Sequence, residues 1–145
     1  MAQCINGFSS EEIFHLYGFV EAYETAGIKS FQTQTRLFKE HPELRELLLV
    51  LKKVKCHYSN SEIMKSIDIK KMDEEIYFSE YQVGQLLSLL YHLRNSIAHA
   101  CAIKNGSRVL ITDFKVKRPV DFSARGQISL ETIKEFTSVL RKAVL

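Results

Sequence analysis

The sequence predicts a mainly α-helical fold, a compact bundle of about five helices with a small β-hairpin before the last helix. Three observations predict it. Apolar residues recur at spacings of three and four along most of the chain, the period of a helix with one buried stripe. Two capping boxes, Ser9 with Glu12 and Ser79 with Gln82, each follow a phenylalanine that can staple onto the first turn. Only one stretch, Val109 to Val116, is dense in β-branched and apolar residues.

The first helix starts after Ser9, with Phe8 stapled onto Ile13. It runs through Phe14, Leu16, Tyr17 and Val20 and stops near Gly27, a residue suited to the position after a helix. A shorter helix is predicted from about Ser30 to Glu40, with Phe31, Leu37 and Phe38 apolar. Pro42 suits the start of the next, whose buried face is Leu44, Leu47, Leu48, Leu51 and Val54. Ile63, Met64 and Ile67 suggest a short helix, and the charges from Lys70 to Glu75 a solvated loop. The box at Ser79 opens a long helix that ends by Asn105-Gly106, a turn dipeptide. The strand at 109–116 is broken by Lys117-Arg118-Pro119. Val120, Phe122 and Ala124 then alternate as a second hairpin strand. Ser129 caps a last helix with Leu130, Ile133, Phe136, Val139 and Leu140 inward. Arg141 and Lys142 suit its C-terminal dipole.

The chain reads as a single domain over residues 1–145, 46% hydrophobic, with enough length to bury a core. A net charge of +3 is permissive of RNA without demanding it. No apolar run approaches the ~18 residues of a membrane span, so no membrane association is expected. Met1-Ala2-Gln3-Cys4 lacks a basic region followed by an apolar one, so no signal peptide is expected and the location reads as cytoplasmic. Cys4, Cys56 and Cys101 form no Cys-x-x-Cys pair. They read as reduced thiols, with no metal site and no cofactor. No phosphate-binding glycine loop, nucleophile elbow or carboxylate cluster for Mg²⁺ is present.

The segment Arg94-Asn95-Ser96-Ile97-Ala98-His99 carries the chemistry. Its helix has the stripe Leu86, Leu90, Leu93, Ile97 and Cys101. Arg94 and His99 are about 140° apart around the axis with Asn95 between them, on the side away from Ile97. Arginine keeps its charge and offers a fork of donors to phosphate oxygens. Histidine titrates near neutrality and can serve as base or acid, and asparagine can orient phosphate or sugar. Metal-free RNA cleavage needs these parts. The ribose 2′-hydroxyl attacks the phosphate, a base takes its proton, an acid protonates the leaving oxygen, and cations meet the phosphorane charge. On spacing alone, a surface ion-pairing arginine and a polar histidine closing a helix face are the commoner occurrence.

The six residues resemble the signature of the HEPN superfamily (higher eukaryotes and prokaryotes nucleotide-binding): an arginine, four to six residues, then a histidine, with a polar residue often directly after the arginine. The resemblance is tight over residues 79–103; elsewhere it is agreement in helix number and length. It implies a metal-independent endoribonuclease, a toxin or defence component acting as a homodimer whose two motifs face one cleft, with RNA as substrate and an antitoxin protein as partner. Arg94 and His99 would be the catalytic pair and Asn95 the assisting residue. Where toxins paired with a nucleotidyltransferase antitoxin often carry a tyrosine two residues after the histidine, this chain has Cys101. Other family members are non-catalytic and bind RNA, nucleotide or protein, which is the alternative function.

Weaker candidates surround the motif. Tyr91 stands one turn before Asn95 and can line the same cleft, or serve as a rim aromatic. Lys52, Lys53, Lys55 and His57 form a basic run that can contact RNA backbone, although a solvated helix end explains it as well. Asp113 can pair with a basic residue, with no reason to make it catalytic.

Overall fold

The computed structural model describes residues 7–79, 84–115 and 121–144. The fold is mixed α/β, which corrects the helical bundle with a hairpin. Among the described residues, six helices accompany a five-stranded mixed sheet.

Helix α1 spans Ser10–Thr25, capped by Ser9. The Ser9 hydroxyl accepts from the Glu12 N–H at 3.1 Å, and the Ser9 N–H donates to the Glu12 carboxylate at 2.8 Å. Ala26 closes the helix and Gly27 follows with φ 67°, so the first helix stands as predicted. Helix α2 (Gln34–Glu40) starts later than expected, because Thr33 supplies the cap and residues Ile28–Ser30 form a 3₁₀ turn instead. Pro42 opens a second 3₁₀ turn, Pro42–Glu46, which leads into the short α3 (Leu47–Leu51).

Strand β1 is Lys55–Tyr58, so the expected basic helix end is partly strand. Asn60 caps α4 (Ser61–Lys65). Strand β2 (Glu75–Phe78) runs parallel to β1 where a solvated loop was expected to lead into a helix. The N–H of Ser79 donates to the carbonyl of Ser123 at 2.8 Å, which continues the sheet rather than capping a helix. Gln82 and Val83, the other halves of that expected box and staple, lie outside the described residues. The long helix, α5, spans Gln85–Ala98.

Residues expected in the tail of α5 form β3 (Ala102–Asn105) instead. Asn105-Gly106 is a turn as predicted, but of a hairpin between β3 and β4 (Arg108–Phe114). Gly106 takes φ 63° there, a region that favours glycine. Strand β5 is Phe122–Ser129, and α6 (Leu130–Leu140) is capped by Ser129 as expected. The β4–β5 hairpin exists, but as the interior of the sheet order β1-β2-β5-β4-β3. Val116, Lys117-Arg118-Pro119, Val120 and Cys4 lie outside the described residues.

Two features hold this sheet around α5. At Gly126 the strands β2 and β5 approach so closely that a Cβ would sit 2.2 Å from the Glu75 carbonyl oxygen. At the other end the Ser96 hydroxyl accepts from the Thr112 N–H at 3.1 Å and donates to the Cys101 carbonyl at 3.0 Å, tying α5 to β4. Helix α5 packs on β4 and β2, and also touches α1 and α3. Leu86, Leu90, Leu93 and Ile97 are buried as the stripe predicted, but so are Leu87, Leu89, His92 and Asn95. No helix is long and apolar enough to cross a membrane among the described residues.

Candidate functional site

The expected solvent face of α5 is covered in part by β4, and a pocket of about 550 Å³ opens where the two meet. Arg94, Asn95, His99 and Tyr91 all line it, together with His92 and Asp113. The exposed lysines Lys29 and Lys115 stand at the same pocket. Three residues of the motif, Arg94, Asn95 and His99, therefore meet Tyr91 on one concave surface.

The motif residues are not equivalent. His99 is the C-cap of α5, where its N–H bonds the Asn95 carbonyl at 2.9 Å, and its side chain is exposed. Ala100 follows at φ 58°, turning the chain out of the helix into β3. Asn95 is 8% exposed and engaged at both ends of its amide. Its Oδ1 accepts from Arg94 Nη1 at 3.1 Å, and its Nδ2 donates to Asp113 Oδ2 at 3.2 Å. The side chain of Arg94 is 26% exposed, and its Nη2 donates to Glu24 Oε2 at 2.6 Å. Of the five guanidinium N–H groups, these two contacts use one on each terminal nitrogen, and Nε is buried without a hydrogen-bond partner among the described residues. Among the described residues the remaining terminal N–H groups have no further hydrogen-bond partner.

Beneath the motif lies a group the sequence reading did not assemble. Asp113, 6% exposed, accepts from His92 Nδ1 at 2.9 Å as well as from Asn95. His92, 1% exposed, is also stacked on Phe78 of β2 with centroids 5.8 Å apart. The expectation that Asp113 pairs with a basic residue holds, and His92 is that residue. A signal was present in the sequence: one acidic residue inside an otherwise apolar strand, which must find a partner if buried. Without the register of β4 against α5, however, no sequence spacing identifies the partner.

Tyr23 of α1 is buried within electrostatic reach of Arg94 and Tyr91. Burial is the largest influence on its phenol, which is pushed up to about 12. Arg94 opposes the rise, and Tyr91 and Glu24 add to it.

The basic run lies elsewhere. Lys53 bonds Glu135 at 2.5 Å, Lys55 is 3.6 Å from Asp73, and neither lines the pocket; nor does Lys52. His57 bonds Glu75 at 2.9 Å and stacks on Tyr77. A second concavity, of about 460 Å³, is lined by Glu12 and Lys104, which pair with each other at 3.0 Å. Among the described residues no group of three or more His, Cys, Asp and Glu side chains is arranged to hold a metal ion. Cys56 has a free thiol pushed up to about 11 by burial. In comparisons with known proteins, no family model, no curated protein and no solved structure matches this chain.

Proposed function

We propose that the pocket between α5 and β4 binds a phosphodiester of RNA and that the protein cleaves it without a metal, in the manner the HEPN-like motif implies. The observation that carries this reading is the convergence of Arg94, Asn95 and His99, with Lys29 and Lys115, on one pocket. The support from the fold is confined to α5, since the five-stranded sheet lies outside a helical bundle. In this reading the exposed imidazole of His99 transfers a proton. The free N–H groups of Arg94 meet the charge that builds on the phosphorane. The attacking 2′-hydroxyl loses its proton to a base, and the leaving 5′-oxygen gains one from an acid. His92 is too deeply buried to take the second role at the pocket surface. A second copy of His99 would supply it, which makes the active species a homodimer.

The test is direct. The purified protein is incubated with total RNA in the presence of chelator. Wild type should cleave, and His99→Ala should cleave at least ~10²-fold more slowly, the usual loss for a general acid or base. Equal cleavage by the two proteins would overturn the assignment.

A second reading, binding without cleavage, is favoured by one observation. Arg94 is already ion-paired to Glu24 and hydrogen-bonded to Asn95, so much of the motif is satisfied within the chain. RNA retained by wild type, weakened by Arg94→Ala and never cut would select it.

A further inference from the structure

We infer that Asp113 is a positioning residue of the phosphate site, acting on Arg94 through Asn95; this rests on the reading of the pocket as a phosphodiester site. The carboxylate stands on β4, whose backbone is tied to α5 by the Thr112 N–H donating to Ser96 Oγ at 3.1 Å. The anchor is one residue from Asp113 on the strand and one residue from Asn95 on the helix, so both side chains start from a fixed relative position. Asp113 Oδ2 then accepts from Asn95 Nδ2 at 3.2 Å, which fixes which end of the amide faces the arginine. The carbonyl end, Oδ1, is the one turned to Arg94 Nη1, at 3.1 Å. A flipped amide would present its NH₂ to a cation that only donates, and would set its oxygen against a carboxylate. Asp113 therefore determines the acceptor that holds one edge of the guanidinium.

Glu24 holds the other terminal nitrogen from α1, at 2.6 Å, but its side chain is 54% exposed and can yield to an incoming anion. Asp113, held by His92 at 2.9 Å in the interior, cannot. When a phosphate replaces Glu24, the Asn95–Asp113 link is what keeps the guanidinium plane aimed at the pocket. Asp113 touches no substrate in this scheme. Its effect is transmitted entirely by Asn95.

The experiment compares wild type, Asp113→Asn, Asn95→Ala and the double variant. Two readouts are used: the affinity for inorganic pyrophosphate, and kcat and KM for a short oligoribonucleotide. All are taken well below the unfolding temperature of each variant. Asp113→Asn should weaken pyrophosphate binding at least about fivefold, as expected for a misaligned charge-assisted donor. It should lower kcat by roughly tenfold or more. In the Asn95→Ala background, Asp113→Asn should add nothing further, because the link it controls is already gone. Wild-type pyrophosphate affinity and kcat in a folded Asp113→Asn protein, or effects that simply add in the double variant, would overturn the inference. Should Asp113→Asn not fold, Asp113→Glu keeps the carboxylate but displaces it by one methylene. A purely structural need for charge is then met and binding is restored, whereas a positioning role leaves it weak. Wild type that binds pyrophosphate but cuts no RNA sinks the nuclease reading and leaves the affinity arm to decide on Asp113. Wild type that neither binds pyrophosphate nor cuts RNA sinks both, and wild type that cuts RNA without binding pyrophosphate leaves kcat to decide on Asp113.

Discussion

Arg94 Nη2 lies 2.6 Å from Glu24 Oε2, so the motif arginine on α5, which lines the pocket, carries a carboxylate from α1. A phosphate entering there competes with Glu24 for the same donors. Glu24→Gln should therefore raise affinity for pyrophosphate or RNA by about threefold, with a larger gain at low salt, because an exposed pair is worth no more than ~1 kcal/mol and is screened. Titration calorimetry at two salt concentrations checks it. Unchanged or weaker binding would mean that Arg94 does not face the ligand.

Of the described glycines, Gly126 leaves the least room for a side chain. Any side chain there drives into the backbone of β2 at Glu75 and Ile76, which has strand neighbours on both sides and little room to yield. Gly126→Ala should cost about 3 kcal/mol, the upper end of overpacking penalties, lowering Tm by roughly 10 °C. Thermal unfolding followed by circular dichroism measures it. A loss smaller than about 1 kcal/mol would show that β2 can move away.

Tyr23 should hold its proton well beyond the ordinary range of a phenol. Its folded pKa is raised to about 12 from an ordinary value of 10.0, chiefly by burial. The fold therefore holds its proton where the unfolded chain releases it. The stability this contributes is fully present below pH 10 and is lost as pH rises from there towards about 12. A phenolate absorbance titration should show a late step that Tyr23→Phe removes. Alkaline unfolding should move to higher pH in the same variant, provided the lost hydroxyl leaves no buried polar group unpaired.

Legibility followed the range of the interactions. The ends of α1 and α6 were readable because Ser9, Glu12, Gly27 and Ser129 act within a turn of the backbone they cap. The strands β1 and β2, four residues each, were not. Lys-Cys-His-Tyr and Glu-Ile-Tyr-Phe are too short to display alternation, and what makes them strands is pairing with each other and with β5, far away in the chain. Helix α5 misled in a related way. Its leucine stripe indicates one buried side correctly, but a sheet covers another side, and Asn95 and His92 are polar there because Asp113 receives them. The motif residues themselves could be named from the sequence, since all lie on one helix. The carboxylate beneath them required a register that only the folded sheet supplies.

The strand order has a consequence for biogenesis. β2 sits between β1 and β5, and β5 is the last strand to leave the ribosome, after α5, β3 and β4. Until β5 arrives, β2 offers an open row of amide and carbonyl groups to any other extended chain. Nascent chains should therefore depend on chaperone protection late in synthesis, and stalling before residue 122 should yield aggregates rather than a stable amino-terminal fragment.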